Sequence, residues 1–176
     1  MVFSFASCSV LEKYTKTENQ PEDVVSAFLD ALKNFDAEAM DACYYEVESS
    51  DATLSESDIA LLSAMYGKVS YEILNVEIDG SKAVVKVKAT KADYVAAAEK
   101  MRDIMVEKIQ AGELVADDLT DDDYMAVLKE CLLADDAKMI TKELDVKCIL
   151  VSNKWYLDAE DDSLDAFIDE GMDMTE

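Results

Sequence analysis

Asp79-Gly80 stands between two runs of alternating apolar residues, and this dipeptide constrains the chain more than any other feature. Such a pair tolerates positive φ and matches the right-handed twist of flanking strands, so it marks a β-hairpin. Val69, Tyr71 and Ile73 share one face of the incoming run. Val76 and Ile78 take the opposite parity, which predicts a β-bulge near Leu74-Asn75. The returning strand is expected from Ala83 to about Thr90, with Val85, Val87 and Ala89 on one face and Lys86 and Lys88 on the other. An isolated hairpin is barely stable in water, so this one requires more strands and helices to cover its apolar face.

The rest of the chain supplies them. Residues 141–151 alternate again, Leu144, Val146, Cys148 and Leu150 against Glu143, Asp145 and Lys147. Ser152-Asn153 turns that run into a short strand from Lys154 to Asp158. Elsewhere the period is helical. Gln20-Pro21-Glu22-Asp23 opens a helix carrying Val25, Phe28, Leu29 and Leu32, with proline at the first position and acids in the first turn. Asp36 caps a second piece expected from Ala37 to about Val47, and Ser55 with Asp58 caps a third bearing Ile59, Leu62 and Met65. A helix from Asp93 to Ala111, ended by Gly112, and another from Thr120 through Leu132 fall between the hairpins. Leu164, Phe167 and Ile168 form a last short helix.

This order predicts an α+β fold: a curved antiparallel sheet of about four strands in two hairpins, packed by a long N-terminal helix. A helical insertion covers about residues 92–138. One domain is expected over 20–160, with 161–176 a short helix and acidic tail.

Charge narrows the partners. Forty acids against 16 bases and no histidine give a net charge of −24. Phosphate binding needs Lys/Arg-rich surfaces, so nucleic acid is not an expected partner, and the folded body has no electrostatic attraction to an anionic bilayer. Without histidine there is no Ser-His or Cys-His nucleophile pair and no His-ligated zinc or haem. At 51% apolar residues the chain still has the material for a core. Five of the bases, Lys68, Lys82, Lys86, Lys88 and Lys91, sit on or beside the first hairpin. Lys86 and Lys88 would make a positive face for a partner, or simply protect an exposed sheet.

Two resemblances add to this reading. Phe5-Ala6-Ser7-Cys8-Ser9 resembles the lipobox of bacterial lipoproteins, with Cys8 the residue lipidated after cleavage. Residues 1–19 would then be signal remnant, lipobox and tether. The stretches 20–36, 69–89 and 147–158, the last with Asn153-Lys154-Trp155, resemble small lipoproteins of Gram-positive bacteria. Their domain is similar to nuclear transport factor two, a cone-shaped, cystatin-like fold. The resemblance implies a long first helix, broken near an Asp, across a curved sheet, and a membrane-anchored address at the cell surface.

In that cone, Tyr44, Tyr45, Tyr71, Tyr156 and Trp155 are candidate cavity-lining residues, with Tyr66 beside them and Asp41 or Glu72 as a carboxylate. A carboxylate base with a tyrosine donor would suit an isomerase; the same residues also suit a plain core edge. Asp117, Asp118, Asp121, Asp122 and Asp123 supply hard oxygen ligands for calcium, but acids at a helix start are already explained by the helix dipole. Met101, Met105, Met125 and Met139 fill a core or line an adaptable groove. Cys43, Cys131 and Cys148 fall on apolar phases as buried thiols. No cofactor is expected. The leading expectation is a non-enzymatic lipoprotein that binds a peptide, protein or small apolar ligand in the cone. The alternatives are a cytosolic acidic chaperone or adaptor and a cone-fold isomerase or dehydratase.

Overall fold

The computed structural model describes residues 17–46 and 55–170. Cys8 and the lipobox-like stretch around it, residues 47–54, and the acidic tail beyond 170 lie outside the described residues. The architecture is the expected α+β fold: six α-helices and a curved, unclosed four-stranded antiparallel sheet among the described residues. The strands are β1 (Ser70–Asp79), β2 (Lys82–Ala92), β3 (Met139–Val151) and β4 (Lys154–Leu157), side by side in that order. The helices are α1 (Pro21–Asn34), α2 (Ala37–Asp41), α3 (Glu56–Tyr66), α4 (Tyr94–Gln110), α5 (Asp121–Leu133) and α6 (Ser163–Ile168).

Local chemistry sets the boundaries. Pro21 starts α1, and the Asp23 carboxylate reaches back to accept from the Gln20 backbone N–H at 2.8 Å. Phe35 ends it at φ 50°. Asp36, Ser55 and Asp93 each cap the following helix by accepting from a backbone N–H three residues on. The bulge falls between Ile73 and Asn75, where the alternation slips. The hairpin turn sits one residue later than Asp79-Gly80 suggests. Asp79 pairs with Lys82, and Gly80-Ser81 forms the loop. Only the glycine of that loop takes positive φ, 62°, which suits a turn with Gly in the first central place. Ser152 and Asn153 both take positive φ, as a mirror-image turn between β3 and β4 requires.

The second helical piece is shorter than expected, ending at Asp41 rather than near Val47. The chain leaves it for the sheet: the Leu157 N–H donates to the Cys43 carbonyl, and Tyr44 forms an isolated bridge with Leu157.

One face of the sheet is covered by α1, α3 and α6, the other is open. Val24, Val25, Phe28, Leu29 and Leu32 of α1 meet Ala83, Val85, Val87 and Ala89 of β2 and Leu144, Val146 and Cys148 of β3 in one cluster. Trp155, Leu157, Leu164 and Phe167 complete it. Leu29, Val85, Val87 and Ala89 are 0% exposed. Each such aliphatic side chain contributes about 1.5–3 kcal/mol on burial. Cys43, Cys131 and Cys148 are free and buried.

Candidate functional site

The helix-covered face is where a cone fold would hold a pocket. Its polar member is Lys91, one of the five bases on or beside the first hairpin, which β2 includes by running to Ala92 rather than ending near Thr90. Lys91 continues the series Val85, Val87, Ala89, and it is only 2% exposed. Its ammonium donates to the carbonyls of Ile168 at 2.7 Å and Glu170 at 3.0 Å, and lies 5.4 Å from the Phe167 ring centroid. These carbonyls belong to the C-terminal end of α6, where a cation also meets the negative end of the helix dipole. Burial lowers the Lys91 pKa, opposed by Glu170 and Asp169. Lys142, also on β3's covered side, pairs with the Glu170 carboxylate. The two-residue period, continued past Ala89, places Lys91 on this covered face.

The five candidate lining residues are divided. Trp155 is buried, its backbone clasped by Asn19, whose side chain accepts from Trp155 N at 2.7 Å and donates to Trp155 O at 3.0 Å. Tyr44 turns inward, its ring edge-on to Phe28 at 5.9 Å, and burial, with Asp165 adding to it, pushes its phenol up to about 12. Tyr71 reaches α1, donating to the Ser26 carbonyl at 3.4 Å, with Asp30 near enough to raise its pKa after burial does. Tyr45 and Tyr156 meet each other at 5.5 Å on the other side of β4, with Lys154 4.8 Å above the Tyr156 ring. Asp41 acts on Tyr44 only as a distant charge. Glu72 projects from the face of β1 opposite Tyr71, since neighbouring strand residues alternate. Tyr66 donates weakly, at 3.5 Å, to the Ile168 carbonyl.

Lys86 and Lys88 do share the open face of β2, but the register surrounds them with acids. Lys88 lies between Glu72 and Glu143, and Lys86 beside Asp145, at 3.7 Å. That face is mixed in sign rather than positive. The acidic run divides between a short 3-10 turn holding Asp117 and Asp118 and the first turn of α5. Asp123 accepts from Thr120 N and Thr120 Oγ1 at 2.9 and 2.7 Å, which holds its carboxyl below the usual range. Among the described residues no group of acids and cysteines is placed to hold a metal ion.

A cleft of about 300 Å³ lies between α4, α5 and residues 136–138. Lys100 and Asp136, paired at 2.9 Å, and Cys131 line it. Burial raises the Cys131 pKa, so its thiol is not an activated nucleophile.

No protein-family model matches the sequence, and no curated protein does. Among solved structures the fold is similar to ycdA, a candidate lipoprotein of Bacillus subtilis. The identity is 14%, the TM-score 0.51, and the match covers 87% of this chain and 47% of that one. The chain thus spans about half of that protein's length. AclR, a candidate hydroxylase from Streptomyces galilaeus, is 9% identical at a TM-score of 0.36, over 89% of this chain and 85% of its own. An LEH-like epoxide hydrolase of M. tuberculosis is 16% identical at 0.31, over 83% and 92%. The last two likenesses are too loose to inform the chemistry of this chain.

Proposed function

We propose that this chain is the folded head of a surface-tethered bacterial lipoprotein that acts by binding rather than by catalysis. The observation that weighs against catalysis, and so favours a binding role, is the state of the covered face. Its central positions, Leu29, Val85, Val87 and Ala89, are sealed by packing, and Lys91 is committed to the end of α6. A catalytic pocket needs polar groups free to meet a substrate. Here the inward tyrosines Tyr66 and Tyr71 donate to backbone carbonyls. An apolar ligand in the cone would have to displace α6, whose Leu164 and Phe167 are buried in the same core cluster.

The tether rests on the lipobox-like Phe5 to Ser9, and the likeness of fold to ycdA, a candidate lipoprotein, accords with it. Two acyl chains are needed for lasting attachment, since one gives only marginal binding. Expression of the full gene in a Gram-positive host with an alkyne fatty acid tests this. Label on the protein, lost in Cys8→Ala, is the expected result; an unlabelled wild type overturns the tether. The binding half is tested separately by an apolar fluorescent probe: saturable binding with amide shifts at α6 and the covered face of the sheet is the expected result, and no binding, or shifts confined to other surfaces, overturns it.

A further inference from the structure

The two edges of the sheet are treated differently. β4, four residues long, has Trp155 N and O taken by Asn19 and Leu157 N taken by Cys43. β1, ten residues long, pairs with β2 on one side and with no other strand among the described residues. Native edges of that length are commonly blunted by Pro, by bulges or by charged side chains, Lys above all. Residues 70–79 contain no Lys or Pro; their blunting is a single bulge at Leu74 and the carboxylates of Glu72, Glu77 and Asp79, which repel an acidic strand and admit a basic one. Leu74 is 42% exposed and Ile78 53%, beyond the cover that α1 gives Tyr71.

The charges on β1 say what fits. Glu72, Glu77 and Asp79 point to the open face, and none of them is in an ion pair among the described residues. The opposite face offers Tyr71, Ile73, Val76 and Ile78. A second copy pairing antiparallel about the strand centre would set Glu72 against Glu77 twice, which like charges disfavour. The surrounding body, at −24, adds to that repulsion.

We propose that the free edge of β1 is a docking site for an extended basic segment of a partner protein. The segment adds a fifth strand, with lysine or arginine opposite the three carboxylates and apolar residues toward Val76 and Ile78. Backbone pairing supplies affinity, and the alternation supplies the choice of partner. The site lies outside the cone, and failure of the acylation test leaves it standing.

The probe is a fluorescent Lys-Val repeat peptide, compared with a Lys-Pro repeat of equal charge that cannot pair as a strand. Binding is read by anisotropy at physiological salt and mapped by backbone amide shifts. The expected result is saturable binding of Lys-Val alone, with shifts concentrated in 70–79. The triple variant Glu72→Gln, Glu77→Gln, Asp79→Asn should weaken it about tenfold, from three surface charge contacts. The control Asp117→Asn, Asp118→Asn, Asp122→Asn, which changes net charge equally, should not. No binding of Lys-Val, equal binding of Lys-Pro, or equal loss in both triples would overturn the proposal. A dimer of the peptide-free protein that the peptide dissociates would also overturn it, in favour of a second copy.

Discussion

Lys91→Met tests the most unusual interaction in the molecule. The substitution keeps an unbranched apolar stem of similar length and removes only the ammonium. The Glu170 carbonyl, 3.0 Å from that nitrogen, then loses this donor, and the Ile168 carbonyl, at 2.7 Å, keeps only the weak 3.5 Å bond from Tyr66. A part-buried carbonyl left unpaired costs about 1–3 kcal/mol. Loss of the charge from the helix terminus and from the Phe167 ring adds about 1 kcal/mol. Against this, a buried ammonium carries a desolvation penalty of several kcal/mol that the variant recovers in part. The net expectation is a loss of about 2 kcal/mol. Lys91→Ala also deletes the buried stem and should cost about 2 kcal/mol more. Urea denaturation gives the totals, and amide exchange locates them. Because both acceptors lie at the end of α6, protection at Ala166 to Asp169 should fall before the sheet is affected. A Lys91→Met protein as stable as wild type, with α6 protection unchanged, would refute the claim that this ammonium fastens the helix.

Other perturbations test different layers. Asn19→Ala removes both bonds to the backbone of Trp155 and should cost about 2 kcal/mol in a denaturation curve; a smaller effect than Asn34→Ala, whose exposed side chain caps one carbonyl, would contradict it. In a Cys8→Ser background, Cys43, Cys131 and Cys148 should resist a thiol reagent until the protein unfolds, because all are buried and burial raises each pKa, Cys148 to about 12; fast native labelling of any would refute this. Tyr44 and Tyr66 are pushed up to about 12 by burial. Below pH about 10, the ordinary tyrosine value, both states keep these protons and stability is unaffected. Between about 10 and 12 the unfolded chain alone releases them, so stability falls. Circular dichroism against pH should show that loss, reduced in Tyr44→Phe; a flat profile to pH 12 would contradict the burial argument.

The fold was largely legible because its signals are local. Asp79-Gly80, the bulge at Leu74, the caps at Asp36, Ser55, Asp93 and Thr120, and the alternation of β3 all lie within a few residues of what they specify. What was not legible depends on contacts distant in sequence. Lys91 carries the parity of a core residue, but nothing local shows how a charge is buried there; the acceptors that permit it are 77 and 79 positions away. Lys86 and Lys88 were seen as a pair, but Asp145 and Glu143 flank them only through the pairing of β2 with β3. The tyrosines form a cluster in sequence composition and two separate groups in space, because Tyr44 and Tyr45 straddle the β4 edge.

The Asn19 clasp has a mechanical consequence. The chain preceding α1 meets the body at the β3–β4 turn, where Glu18 N donates to Asn153 O and Asn19 grips Trp155. A pull on residues before Thr17 therefore loads these bonds before it reaches α1. Strands neighbour one another at about 4.8 Å, which puts β1 about 14 Å across the sheet from β4. Tension from the N-terminal side enters at the short, clasped edge, and the long open edge is left unstrained.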